Sequence, residues 1–259
     1  MSLTGKTKAG SYKDLLQMNN SNNGVDATTR NVVDGEGTLS AISLSDDQLI
    51  VRPKSADGTA ILRVMDKDSN TLFAVDSTND VVKANGNAVN TNIKEFHMNS
   101  SSAFPTSADT WTALFHGNGR TVMEVQGGGG ATPNTSFTVG TTADDMVAVM
   151  WYVPFNITID SCHVFFGADA SGGDDVKFSV MSYTVDTANG STSGDLSSGV
   201  ENCVSPATIT GAGYEQAYYQ ALTISTADVD AGKAIVAFVH QDGTTADLGI
   251  HMQLVYHLR

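Results

Sequence analysis

Short apolar clusters alternate with polar turn sequences along residues 38–86, roughly one cluster every ten residues. Phe73 and Val75 flank a small alanine, for example, in the period-two pattern that is typical of a strand with one buried face. Asp-Gly at 57–58 and Asp-Lys-Asp-Ser-Asn at 66–70 have the chemistry of turns. We therefore predict short antiparallel strands that are joined as hairpins.

This hairpin region, which we place at residues 30–96 and call the stem, buries only one narrow face. A few short strands with so little apolar area are marginally stable in water on their own. The face needs a covering partner, and copies of the same chain are the simplest one. The pattern thus predicts a symmetric, elongated β-assembly rather than an enzyme domain.

The apolar pattern strengthens after residue 136. Residues 146–155 form an almost continuous apolar run, which predicts a strand that is buried on both faces. Ile157 and Ile159 alternate in one phase and Cys162 in the other, so we predict a β-bulge or a bend between them. The clearest strand is the last one, and one side of it is expected to face the core or the axis of the assembly through Leu248, Ile250, Met252, Leu254 and Tyr256.

Seven or eight such strands with no helical segments between them indicate an all-β fold. We predict an antiparallel sandwich and choose the jelly roll among sandwiches, because the loops are long and irregular. A parallel sheet would need crossover helices, which the pattern lacks. The predicted organisation is an attachment segment with a linker at 1–29, the stem at 30–96 and the sandwich at 97–259.

The first residues combine basic and apolar side chains. Ser11 and Asp14 have the spacing of a helix capping box, and an Asn-rich run at 19–24 would stop any helix that follows them. A short apolar segment on a basic tether suits a docking peptide, although a frayed terminus is an equal alternative. The docking hypothesis assigns contact to Lys6, Lys8, Tyr12, Lys13, Leu15 and Leu16.

The formal net charge of −14 is unevenly distributed. Residues 1–96 hold 10 Lys and Arg against 12 Asp and Glu, whereas residues 97–259 hold 4 against 16. A body with this acidic excess repels phosphate groups, so we expect no nucleic acid among the partners.

We expect neither export nor membrane insertion. Residues 1–17 lack the apolar core of a signal peptide, and no run reaches the roughly 18 apolar residues of a membrane helix. Cys162 and Cys203 lack the spacing of a metal site, and two buried free thiols are favoured over a disulfide. Synthesis in a reducing cytoplasm is consistent with both observations.

Candidate chemistry is sparse, and we predict no catalytic residues, no metal and no cofactor. The six histidines are scattered; His251 and His257 share one strand face but lie about 20 Å apart along it. Asp66, Asp68 and Asn70 imitate the start of a calcium loop, but Thr71 stands where a glycine is needed, so a hairpin turn explains them better.

Exposed tyrosines are the remaining candidates for ligand contact. Tyr214, Tyr218 and Tyr219 lie close to glycines and could stack on a receptor, although packing within the fold is the favoured explanation. The longer apolar run that holds Trp151 and Tyr152 is more typical of a core.

The order of these parts resembles structural proteins of tailed bacteriophages, especially marine ones. Residues 4–16 are similar to the virion-attachment segment of fibre proteins, and residues 39–45 and 73–80 are similar to β-repeats of fibre stems. The segments at 153–159 and 230–235 resemble parts of the tumour-necrosis-factor-like jelly rolls that cap such trimers. The resemblance implies a homotrimer on the virion surface.

The expected function is therefore non-enzymatic. A trimeric fibre or spike would attach to other virion proteins through its N-terminus and present its sandwich domains to a host glycan or protein, with avidity from three linked sites. A capsid decoration protein that cements the head is the alternative, and either a tail fibre or a head fibre fits the pattern. A polysaccharide-cleaving tailspike is the least favoured hypothesis, because the chain lacks a repeating coil motif.

Overall fold

The structure is a computed structural model that describes residues 15–21, 23–99, 108–115, 125–138, 143–169, 174–188, 190–212, 216–243 and 247–259. The chain divides into two compact units, Met1–Asn90 and Thr91–Arg259. Both units are built from antiparallel sheets, which confirms the predicted all-β class. The division falls after residue 90 rather than 96 because the strand that begins at Thr91 pairs with the last strand of the chain.

The N-terminal unit contains two four-stranded antiparallel sheets within the described residues. Each is a simple meander in which consecutive strands pair. The first sheet comprises β1 (Gln17–Met18), β2 (Arg30–Val33), β3 (Leu39–Leu44) and β4 (Leu49–Val51), and the second comprises β5 (Leu62–Met65), β6 (Thr71–Asp76), β7 (Val81–Ala84) and β8 (Asn87–Ala88). The predicted hairpin stem is therefore confirmed at the level of its strands.

Aspartates set the turns of these meanders. The Asp66 carboxylate accepts hydrogen bonds from the backbone N–H groups of Asp68 and Asn70, at 2.9 and 2.8 Å, and so closes the turn between β5 and β6. Asp34 does the same between β2 and β3, where it accepts from Glu36 and Thr38. The sequence that imitates a calcium loop is thus a hairpin turn, as predicted.

Among the described residues, the C-terminal unit has twelve strands and one short helix. They are β9 (Thr91–Asn99), β10 (Thr110–Ala113), α1 (Ala143–Val149), β11 (Met150–Tyr152), β12 (Ile157–Asp169), β13 (Asp174–Val185), β14 (Leu196–Val204), β15 (Ile209–Ala212), β16 (Gln216–Ala221), β17 (Thr223–Ile224), β18 (Asp228–Val229), β19 (Lys233–Gln241) and β20 (Asp247–Leu258).

These strands form two sheets. One has five strands in the order β16-β12-β20-β9, with β18 beside β12. The other has seven, in the order β10-β19-β13-β14-β17, with β11 on β19 and β15 on β13. The main core lies between the two sheets, where Phe96, Phe166 and Phe178 are completely buried. This arrangement is consistent with a β-sandwich.

A second core covers the outer face of the seven-stranded sheet. Alternate residues of β19 divide between the two cores, so that Ile235 lies in the main core whereas Val236 and Phe238 lie in the second. Met146 and Val149 of α1 pack into this second core. The sheet is therefore buried on both faces within one chain, which explains the unbroken apolar run of β19.

The predicted strand at residues 146–155 is mostly wrong. Residues up to Val149 belong to α1, and only Met150–Tyr152 pairs with β19. A continuous apolar run suits a buried strand and a buried helix equally, and here Met146 and Val149 lie one helical turn apart and bury the same face.

The predicted bulge is confirmed. The pairing of β12 with β20 shifts between Ile159 and Ser161, so that Asp160 is the extra residue. Beyond this bulge the alternation of β20 fails, since His257 is buried and Leu258 is 48% exposed. The Asp160 carboxylate forms a hydrogen bond with His257 Nδ1 at 2.9 Å. This bond explains how the polar side chain of His257 can be buried.

Candidate functional site

The outer face of the five-stranded sheet is exposed, in contrast with that of its seven-stranded partner. Phe165, Tyr219 and Ile93 project from three of its strands and are 56%, 64% and 59% exposed. Strand register places Phe165 between Tyr219 and His251, and His251 beside His97. We call this surface the open face; its members are Ile93, Glu95, His97, His163, Phe165, Tyr219, His251, Gln253 and Val255.

The aromatic end of the open face is held in a fixed geometry. The Tyr219 ring stacks on the His163 ring with centroids 5.9 Å apart and planes 17° apart. The Tyr219 hydroxyl also hydrogen-bonds His163 Nδ1 at 2.8 Å. A tyrosine that is held by a neighbour loses little side-chain entropy when a ligand stacks on it. Together with Phe165, it provides a flat apolar platform.

The other end of the open face is polar. Glu95 Oε1 accepts a hydrogen bond from Gln253 Nε2 at 3.3 Å and lies 3.2 Å from His251 Nε2. The Gln253 amide, followed by the His251 ring, lowers the pKa of the Glu95 carboxyl. The surface thus presents a carboxylate and ring nitrogens beside aromatic rings, a combination that suits adhesion to a ligand with both polar and apolar faces.

The last strand, which was predicted to face the core or the axis of the assembly, faces the chain's own core. Leu248, Ile250, Met252 and Leu254 are buried between the two sheets. Tyr256 is partly buried and packs on Trp151, with ring centroids 5.1 Å apart. The side of β20 that is accessible to partners is therefore the opposite one, which belongs to the open face and carries His251, Gln253 and Val255.

The three tyrosines that were predicted to contact a receptor do not share one environment. Tyr219 is exposed on the open face, whereas Tyr218 faces the core and stacks on Phe166 at 5.1 Å. Tyr214 lies outside the described residues. Two open-face members that we did not predict, His163 and Phe165, alternate along β12 with buried residues, and that period-two pattern was the available signal.

The predicted docking segment is described only at its end. Leu15 and Leu16 are 54% and 62% exposed, which leaves them available to a partner. The remaining docking residues lie outside the described part of the chain: Lys6, Lys8, Tyr12 and Lys13.

The stem carries a second exposed surface, an apolar face on each of its sheets. In the second stem sheet, strand register places six apolar side chains on one face, and none of them is buried. Val64 is 51% and Leu62 is 40% exposed. We call these surfaces the stem faces; they comprise Ile42, Leu44, Leu49 and Val51 in the first sheet, and Leu62, Val64, Phe73, Val75, Val82 and Ala84 in the second.

Within the described residues, no group of three or more His, Cys, Asp or Glu side chains is placed to hold a metal ion. No helix in that part of the chain has the length and apolarity required to cross a membrane.

No family model matches the chain, and a search of curated proteins gives no match.

Proposed function

We propose that this chain is a non-enzymatic virion surface protein of a tailed bacteriophage that works as a homotrimeric fibre or spike. In this proposal the N-terminal segment attaches to other virion proteins, the stem faces join three copies, and the open face contacts a glycan or protein of the host surface. The chain would be made in the host cytoplasm and act on the virion surface.

The stem faces carry this proposal. Twelve of the twenty large apolar side chains that are exposed in the described residues lie at or before Val89. Among the residues of that unit that the structure describes, only Val32, Val33, Ala74 and Val81 are buried apolar residues. A single-layered sheet with an uncovered apolar face gains stability from a second layer. Equivalent faces from identical chains, related by symmetry, supply that layer without any other protein.

The sandwich supports the jelly-roll part of the proposal. Its strands pair in a nested order: β9 with β20, β10 with β19, β12 with β16 and β13 with β14. An eight-stranded jelly roll results when a long hairpin of this kind folds over on itself. This strand order supports the proposal of a tumour-necrosis-factor-like jelly roll.

The exposure of the open face favours a fibre over the alternative of a decoration protein. Cementing a shell needs a large flat contact with neighbouring capsid subunits. Adhesion needs a smaller platform of rigid aromatic and polar groups that can bind weakly many times. Phe165, Tyr219 and Glu95 provide a platform of the second kind.

Particles that lack this chain test the proposal. A fibre predicts lost adsorption to host cells with unchanged resistance of the shell to heat, and adding back full-length chain restores adsorption. Chain without residues 1–18 is expected to remain a soluble trimer that does not join the particles. Particles that adsorb normally but break at lower temperature would favour the decoration protein, and full incorporation of the truncated chain would overturn the attachment role.

A further inference from the structure

Cys162 and Cys203 are free, buried thiols on different sheets of the sandwich. Cys162 lies on β12 in the five-stranded sheet, and Cys203 lies on β14 in the seven-stranded sheet. Both belong to the main core between the sheets and are at most 1% exposed. A bond between them would tie the two layers of the sandwich together.

The path of the chain brings the two positions close. Ala221, the last residue of β16, pairs with His163, and the Leu222 N–H donates to the Cys162 carbonyl at 2.9 Å. Ile224, in β17, pairs with Cys203. The three residues from Ala221 to Ile224 span at most about 10 Å. The chain therefore crosses from the five-stranded to the seven-stranded sheet directly beside both cysteines.

The side chains meet across this corner. The Cys162 and Cys203 thiols are hydrogen-bond partners, and this contact, together with burial, raises the pKa of the Cys162 thiol well above its ordinary value. A buried thiol that keeps its proton reacts slowly, because the thiolate is the form that attacks disulfides. The two thiols therefore face each other in the core, and they are protected while the sandwich stays closed.

We propose that Cys162 and Cys203 are a latent disulfide site that connects the two sheets. In a reducing compartment both remain thiols. When the sandwich opens or folds in the presence of a small disulfide such as oxidised glutathione, one cysteine thiolate attacks it and releases a glutathione thiol. The second cysteine then displaces the other glutathione, so two S–H bonds and one S–S bond are exchanged for a new S–S bond and two thiols. This site is independent of the proposed function.

Refolding of the full-length chain tests the site. The reduced, denatured chain is refolded with oxidised glutathione or with dithiothreitol, and each product is analysed by intact mass and by peptide mapping without reduction. We expect the oxidised product to be about 2 Da lighter and to contain a peptide that joins the two cysteines. Its Tm should be higher by roughly 5–10 °C, because the cross-link restricts the unfolded chain.

Cys203→Ser and Cys162→Ser are the matched controls. Each is expected to show neither the mass loss nor a Tm that depends on the oxidant, and this comparison holds even if the substitution lowers stability in both conditions. Glutathione adducts, disulfides between chains, or two thiols that can still be alkylated after oxidative refolding would overturn the proposal. A linked product with a lower Tm than the reduced chain would also contradict it.

Discussion

At the scale of single residues, Asp76 shows how a polar side chain holds the stem together. It is buried, and its carboxylate accepts hydrogen bonds from the Thr78 and Asn79 backbones and from Lys83 Nζ at 2.7 Å. The hydrogen bond from Lys83 has the largest effect on the pKa of Asp76, and the hydrogen bond from the Asn79 side chain has the next largest. Together they lower this pKa from 3.8 to about 2. The Asn79 side chain also donates to this carboxylate, so that four donor groups from three residues satisfy it.

This pKa predicts how the stem responds to acid. Because folding lowers the pKa, the ionised form stabilises the fold fully above pH 3.8, and the contribution is lost as pH falls from 3.8 to about 2. Asp76→Asn should remove that part of the pH dependence and cost roughly 2 kcal/mol at neutral pH. Urea unfolding from pH 2 to 7, at one chain concentration, measures both; identical pH profiles for variant and wild type would contradict the assignment.

At the scale of elements, the covering of the seven-stranded sheet depends on one glycine. The segment at 125–138 reaches this sheet through Phe137, whose N–H donates to the Leu196 carbonyl at 2.8 Å, and Tyr183 donates its hydroxyl to the Asn134 carbonyl at 2.9 Å. A Cβ at Gly199 would lie 2.6 Å from the Tyr183 ring and 2.9 Å from Thr135 Cα. Close packing here leaves no room for a methyl group.

Gly199→Ala is therefore expected to destabilise the C-terminal unit by about 1–3 kcal/mol. Gly249→Ala is the matched control, because it also lies in a strand but its Cβ would have no heavy atom within 4 Å. Thermal unfolding of the two variants, monitored by near-ultraviolet circular dichroism, measures the difference. Equal Tm values would show that the covering segment can move away at no cost.

Local patterns predicted some elements well and others poorly. The stem hairpins and the bulge at Asp160 could be predicted, since turn chemistry and a change of phase are local signals. The helix over Ala143–Val149 was missed because its apolar residues mark burial without fixing the period. The platform of Phe165 and Tyr219 joins two strands that are distant in sequence, so only the register reveals it.

At the scale of the whole molecule, the two units differ in how much of their apolar surface they cover. The C-terminal unit has two cores of its own, whereas the stem faces stay uncovered in one chain. The need for other copies is therefore concentrated in the stem. Of the two alternatives predicted for the last strand, the core and the axis of the assembly, its apolar side occupies the core.

Sedimentation of stem variants tests where the copies meet. Wild-type chain at micromolar concentration is expected to sediment as a trimer, and Val64→Asp, on a stem face, should give monomers because it places a charge in the shared apolar layer. Arg63→Asp is the control, since Arg63 is exposed and pairs with Ala74 on the opposite side of the same sheet. A compact wild-type monomer, or equal effects of both variants, would contradict the proposed assembly.

The pairing of β9 with β20 has a consequence for chain connectivity. Thr91 lies opposite His257, so the sandwich begins and ends at neighbouring positions on adjacent strands. A short linker could join these two positions, and new termini could be opened at the exposed residues 190–193, between β13 and β14. Such a circular permutant would keep both sheets uncut, and the sandwich could then be inserted whole into a surface loop of another protein.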